Sequence, residues 1–253
     1  MLKFLGTGSA FNAEMGNNAA YIKENDKLLL IDCGETVFAR IKEMGLVNDV
    51  NHVYIIITHN HSDHIGSLGT LIPYLAITKN ITTNLIIAND ESGEEQEKKL
   101  REYLTKLDVD EEYYDTTYAD MMEDVFNGLE KIELVKVKHS KTLTCYAAEL
   151  YFKDRVIYYT GDQNDISYLK KIAKKLKKND LVYTDCTALD YKNRIHINFT
   201  ELEEVFDESI REQVYCMHFE NYKTYSHAKE LGFKVANKEL SKEELLKQIA
   251  NRK

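Results

Sequence analysis

Between Val53 and Gly69 the chain reads VYIIITHNHSDHIGSLG, an apolar run that ends on four side chains able to hold a metal: His59, His61, Asp63 and His64. Imidazoles two positions apart in extended backbone point the same way. The chain must then turn for Asp63 and His64 to face the same point, and the sequence predicts that turn as entry into a helix at Ile65. The competing reading is a polar loop with coincidental histidines. Three imidazoles and a carboxylate within six residues argue against it.

Three further residues obey one positional rule, that ligands in α/β proteins sit in loops just past the carboxyl ends of strands. His139 follows IELVKVK, Asp162 follows VIYYTG and His218 follows VYCM. Each alone would be an ordinary loop residue about as often as a ligand. Added to the cluster, they describe one convergent pocket. Five imidazoles and two carboxylates exceed what a single tetrahedral ion can use. Two divalent ions sharing a carboxylate are therefore expected, Zn2+ first and Mn2+ or Fe2+ as alternatives, with Asp162 the natural bridge.

The elements that must position these residues come from the rest of the chain. With 253 residues and 43% hydrophobic content, the sequence can bury a real core, and no repeat or linker divides it, so residues 1–253 are read as one domain. Strands are expected over 2–5, 19–23, 27–31, 53–57, 85–88, 132–138, 145–152, 156–159, 181–183 and 214–217, where β-branched and aromatic residues gather. Capping-box spacings at Ser92/Glu95, Thr200/Glu203 and Ser241/Glu244 mark three helix starts. The mixture predicts a layered α/β fold with two sheets or one large mixed sheet.

Two stretches invite other readings. From Asn89 to Glu130 acidic residues are dense, and Tyr113, Tyr114 and Tyr118 interrupt them. A solvated helix plus a surface loop is the expectation, with a lid or subunit contact as the sharper alternative. Leu169 to Lys178 places Leu169, Ile172, Ala173 and Leu176 on one helical face and six lysines outside it, as a solvated helix or, less simply, an RNA-facing stripe. The net charge of -9 disfavours loose polyanion binding. Cys33, Cys145, Cys186 and Cys216 stand singly among apolar neighbours and are expected to be reduced. No apolar run approaches the ~18 residues of a membrane helix, and MLKFLGTGSAF runs straight into glycines. A soluble cytoplasmic protein without a membrane partner is the expectation.

The pattern His59-x-His61-x-Asp63-His64, followed by His139, Asp162 and His218, resembles the metallo-β-lactamase superfamily in order and strand context. That resemblance implies an αββα sandwich of two mixed sheets flanked by helices. It implies one ion on His59, His61 and His139, a second on Asp63, His64 and His218, and Asp162 between them. Asp32, ending LLLIDCG, matches a position whose carboxylate supports the metal loop. The opening LGTGSAF with GNNAAYI is similar to the ribonuclease Z and cyclic-nucleotide phosphodiesterase branch. The interval from His139 to Asp162 is too short for the tRNA-binding arm of ribonuclease Z. The stretch Thr184, Asp185, Cys186, Thr187 lacks the histidine of that family's His-Glu-Ala-Thr motif. What remains is similar to the compact anti-Pycsar type of phosphodiesterase, which implies a cyclic-nucleotide substrate and, commonly in this branch, a homodimer.

His196, in RIHINFTELEEV, resembles the histidine that donates a proton in the same branch, and Asp185 at the end of LVYT could orient it. An exposed loop histidine is the equal alternative. His52 and His227 match no motif position and are read as ordinary surface residues. Two ions about 3.5 Å apart would clamp phosphate oxygens and activate a water that Asp63 orients, with His196 protonating the leaving group. The rival activities are a ribonuclease Z-like endoribonuclease on tRNA precursors and a hydrolase of lactones, thioesters or β-lactams.

Overall fold

A computed structural model describes residues 1–244 apart from 191, 193 and 242. It contains two six-stranded sheets. The first orders β1 (Lys3–Gly6), β2 (Ala19–Glu24), β3 (Lys27–Ile31), β4 (His52–Ile56), β5 (Thr83–Ile87) and β6 (Tyr114–Tyr118) side by side. The second orders β12 (Lys234–Val235), β11 (Val214–Met217), β10 (Leu181–Asp185), β9 (Arg155–Tyr159), β8 (Cys145–Phe152) and β7 (Leu129–Val137). Each sheet begins as an antiparallel trio and continues in parallel. The β2–β3 hairpin closes through Asn25, which takes the left-handed conformation (φ 52) that asparagine tolerates in tight turns.

Alternation along the strands sorts side chains into layers. Leu29, Ile31, Ile56 and Ile86 of the first sheet meet Ala148, Leu150, Ile157 and Tyr183 of the second in the central layer. Leu28, Leu30, Val53 and Ile55 face the other way, onto α1 (Val37–Met44), α3 (Leu68–Tyr74) and α4 (Glu91–Lys106). Tyr158, Val182 and Cys216 face α5 (Ile166–Lys175), α6 (Phe199–Val205) and α7 (Tyr222–Glu230). The result is the expected αββα sandwich.

Several local expectations change. The stretch read as a surface loop contains β6, paired with β5, with Tyr114 buried in the core and Tyr113 packed against it. These tyrosines serve the first sheet and do not form a lid. The two-residue strand β12 also went unread. Helix α4 is capped by Asp90, which accepts from the Ser92 and Gly93 amides, and α6 by Asn198 in a capping box with Glu201. At both starts an Asx side chain two residues upstream is the cap, and it takes the Ser92 and Thr200 amides themselves, which a capping box would have given to Glu95 and Glu203. Ser241 and Glu244 do exchange the reciprocal bonds of a capping box. In α5, Leu169 and Ile172 are buried, and Lys175 lies against Glu149 (2.9 Å) and the Tyr158 ring. All four cysteines are buried and free. Among the described residues, no helix is long and apolar enough to cross a membrane.

Candidate metal centre

The centre lies past the carboxyl ends of β3, β4, β7, β9, β10 and β11. It is built from a brace outward. Asp32, just past β3 and fully buried, adopts a left-handed backbone (φ 66) that turns its carboxylate toward β4. It accepts from the Thr58 amide (2.8 Å), lies 2.9 Å from the Thr58 hydroxyl, and accepts from His64 Nδ1 (2.8 Å). Burial pushes the Asp32 carboxyl up, with His64 and Thr58 pulling against it. Next to it, Gly34 is obligatory: a Cβ there would stand 1.9 Å from the Asp63 carbonyl oxygen. The Cys33 amide also donates to the His64 carbonyl (2.7 Å). The histidine loop is thus clamped from below.

The helix expected at Ile65 begins earlier. It is α2, Ser62–Ile65, with His61 as its extended N-cap residue (φ -74, ψ 154). Asp63 and His64 therefore already stand in the first helical turn, which swings them away from the His59/His61 direction.

Two groups of ligand atoms result. In the first, His61 Nδ1 lies 2.8 Å from His59 Nε2 and 3.3 Å from His139 Nε2. In the second, Asp63 Oδ2 lies 3.3 Å from both His64 Nε2 and His218 Nε2, and Asp162 Oδ2 lies 3.2 Å from the same two nitrogens. The Asp162 oxygen also stands 3.7 Å from His139 Nε2 and 4.0 Å from His59 Nε2. One carboxylate oxygen therefore faces both groups. His139, Asp162 and His196 form a third, overlapping group.

This donor set fits divalent metal. Ligand bonds of about 2.0–2.1 Å in a tetrahedron place neighbouring donors about 3.3 Å apart, the spacing within the second group. His64 Nε2 and Asp162 Oδ1 are buried without a hydrogen-bond partner, costly in a dry interior. The far ring nitrogens are already engaged: His64 Nδ1 with Asp32, His139 Nδ1 with the Ile195 carbonyl (2.8 Å) and His59 Nδ1 with the Thr58 hydroxyl (3.1 Å). Such outer bonds fix the tautomer and, once a ring is neutral, leave its inward nitrogen as a lone pair. Burial holds His59 well below its usual value and brings His139 down to about 4, so both present neutral imidazole. His64 behaves oppositely. Burial would lower it, but Asp162 and Asp32 hold it well above the usual value.

Backbone strain supports the same point. His218 follows β11 in a left-handed conformation (φ 58), a non-glycine state that costs on the order of 1–3 kcal/mol and persists where its surroundings dictate it. Asp162 is preceded by Gly161 (φ 59), where a Cβ would stand 2.8 Å from the Tyr146 carbonyl oxygen.

His196 joins this site. Its ring stacks on His218 (centroids 5.0 Å apart, 30° between planes), and its Nδ1 lies 2.8 Å from Asp185 Oδ2. Burial opposes its charge, but the bond to Asp185 and the nearby Asp162 raise it to about 9. Burial in turn raises the Asp185 carboxyl to about 6. The pair is read as imidazolium and carboxylate. His52 and His227 are outside the centre, as expected: His52 stands 3.9 Å from Asp26 and His227 lies edge-on to Phe199.

The centre opens into a cavity of about 430 Å3 whose walls include His61, Asp63, Asp162 and His196 with Phe11 and Glu220. That size is in the range of small-molecule sites. Among the described residues no lysine or arginine lines it. Sequence reasoning missed Thr58, Gly34, Phe11 and Glu220. Thr58, directly before His59 at a strand end, carried a local hint; the other three depend on contacts distant in sequence.

Fold and site together define a metal-dependent hydrolase of the metallo-β-lactamase fold. A family model described as "Anti-Pycsar protein Apyc1" matches residues 1–239, and the chain belongs to that family. A relative from Paenibacillus harenae, "Anti-Pycsar protein Apyc1", is 29% identical over 223 residues, covering 86% of this chain and 89% of its own. Among solved structures, the metallo-β-lactamase fold protein YhfI from Bacillus subtilis is similar with a TM-score of 0.67 at 19% identity, covering 95% of this chain and 96% of its own. Human tRNase Z, short form, is similar with a TM-score of 0.63 at 18% identity, covering 94% and 96%.

Proposed function

We propose that this protein is a dinuclear metal-dependent phosphodiesterase that hydrolyses cyclic nucleotides. The observation that carries the reading is the single Asp162 oxygen facing both ligand groups. In this assignment His59, His61 and His139 would hold one divalent ion and Asp63, His64 and His218 the other, with Asp162 facing both sets. The imidazole-rich set favours Zn2+, with Mn2+ or Fe2+ as the alternatives. Two such ions supply an activated water and a clamp on the phosphate oxygens.

The chain's own residues do the rest. Asp63 lines the cavity with a carboxylate that orients the attacking water. His196 holds a proton on Nε2 for the leaving oxygen, while Asp185 accepts from Nδ1 and keeps the ring charged. A lining that, among the described residues, has no lysine or arginine suits a substrate with one phosphate better than a polyanion such as tRNA, whose backbone contacts come mostly from basic side chains. Family membership supports the cyclic-nucleotide class through the resemblance described above. A cytoplasmic setting agrees with four free thiols, and a homodimer belongs to the same reading, to be tested by sedimentation equilibrium.

The deciding assay uses protein loaded with Zn2+ or Mn2+ against 3′,5′-cyclic mononucleotides, cyclic dinucleotides, pre-tRNA and a thioester. Cyclic mononucleotides are the expected substrates, with two metal ions per chain by elemental analysis. His196→Ala is expected to slow turnover by about 100-fold or more, the usual contribution of a general acid, with both metals retained. Hydrolysis of pre-tRNA or the thioester alone would overturn the assignment.

A further inference from the structure

Phe11 is 99% exposed and yet forms part of the wall of the metal-centre cavity. A bare phenyl ring in water is unfavourable, and here it is not at the end of a loose loop. The Ser9 amide donates to the Phe219 carbonyl (3.0 Å), Asn12 Nδ2 donates to the same oxygen (2.9 Å), and the Phe219 amide donates to the Thr7 carbonyl (2.8 Å). Phe219 directly follows His218. The segment bearing the ring is therefore laced to the backbone of the residue next to His218, which fixes Phe11 relative to the metal centre. Leu189, 57% exposed, lines the same cavity, and its amide donates to the Thr187 hydroxyl (3.0 Å), which itself donates to Glu220.

We infer that Phe11 is a substrate-positioning residue, the platform on which the nucleobase stacks while the phosphate is held at the metal centre; this rests on the cyclic-nucleotide reading above. The cavity offers metal ligands on its floor and an apolar ring at its rim. A cyclic mononucleotide has the same polarity, one phosphate and one flat base. Every base has a π-face, so a stacking platform tolerates purines and pyrimidines alike. A second copy of the chain covering Phe11 is the alternative occupant.

The experiment compares wild type, Phe11→Ala and Phe11→Trp on the four 3′,5′-cyclic ribonucleotides and on a base-free 3′,5′-cyclic ribose phosphate, with sedimentation in parallel. Phe11→Ala is expected to lower the ratio of kcat/KM for base-bearing over base-free substrate by about five- to a hundredfold, the usual effect of removing one stacked ring. The loss should lie in KM for all four bases, and Phe11→Trp should restore it. An active wild type whose ratio is unmoved by Phe11→Ala overturns the platform alone. A change of oligomeric mass in Phe11→Ala with no change in ratio assigns the ring to a subunit contact instead. A wild type inert on every cyclic substrate overturns the parent reading and this one together.

Discussion

Around Asp162, the group of His59, His61 and His139 contributes imidazole nitrogen alone, whereas the opposite group adds the Asp63 carboxylate and rests through His64 on buried Asp32. His61 is only half-buried, while Asp63, His64, Asp162 and His218 are all buried. Their protonation differs too. His59 and His139 are held low by burial, so an incoming cation displaces no proton there. His64 is held high by two carboxylates and must release a proton to bind. Burial alone thus makes one half of the site ready for metal, and charge compensation builds the other. With Asp162 facing both groups, the added Asp63 carboxylate attracts a dication more strongly than a neutral ring does, so the acidic group should hold its ion more tightly above the pH where His64 competes for its own lone pair.

The widest break in that comparison comes from the residue the halves share. Asp162→Ala should release both ions and bring phosphodiester hydrolysis to background, read as metal per chain falling from two toward none. Retention of one ion, in either half, would show that the halves are independent and that Asp162 is no bridge.

Next in size is the brace. Asp32→Asn keeps the shape but gives His64 Nδ1 a neutral acceptor in place of a carboxylate. Loss of such an outer partner usually costs about 10–100-fold in metal affinity. Competition with a zinc indicator should show one of two binding steps weakened by that amount, with the other moved far less. Equal weakening of both steps would erase the distinction between the halves.

How much of this was legible in the sequence follows from how local each signal is. The His59 to His64 cluster was readable because strand and helix periodicities fix where neighbours point, although the helix began three residues earlier than the apolar pattern suggested. His139, Asp162 and His218 were readable because each ends an apolar run. Strand β6 was not, since YDTTY sits in an acidic stretch and gains its identity from pairing with β5 and from burying Tyr114. The helix starts misread at Ser92 and Thr200 share a cause: Asp90 and Asn198, two residues upstream, cap the helices first and place Ser92 and Thr200 inside the first turn. Phe11 and Glu220 gave no signal. Their place at the centre depends on bonds that join residues 9 and 12 to 219, and 187 to 220.

The smallest expected effect tests whether the proton donor stands apart from both halves. Asp185 bonds to His196 and to the Gln163 amide (3.1 Å), and no ligand group includes it. It helps raise His196 to about 9, and two bound cations beside the ring would lower that value. A donor works only while protonated, so kcat should fall as pH rises through the His196 value. Asp185→Asn removes the charge that favours imidazolium, so the fall should begin at lower pH, shifted by about one unit if roughly 1.4 kcal/mol of that interaction is lost. Turnover at neutral pH should drop by about tenfold or less, with metal content unchanged. The readout that separates positioning from mere structure is the shift of the alkaline limb: a uniformly reduced profile of unchanged shape would mean that Asp185 only supports the fold around Gln163.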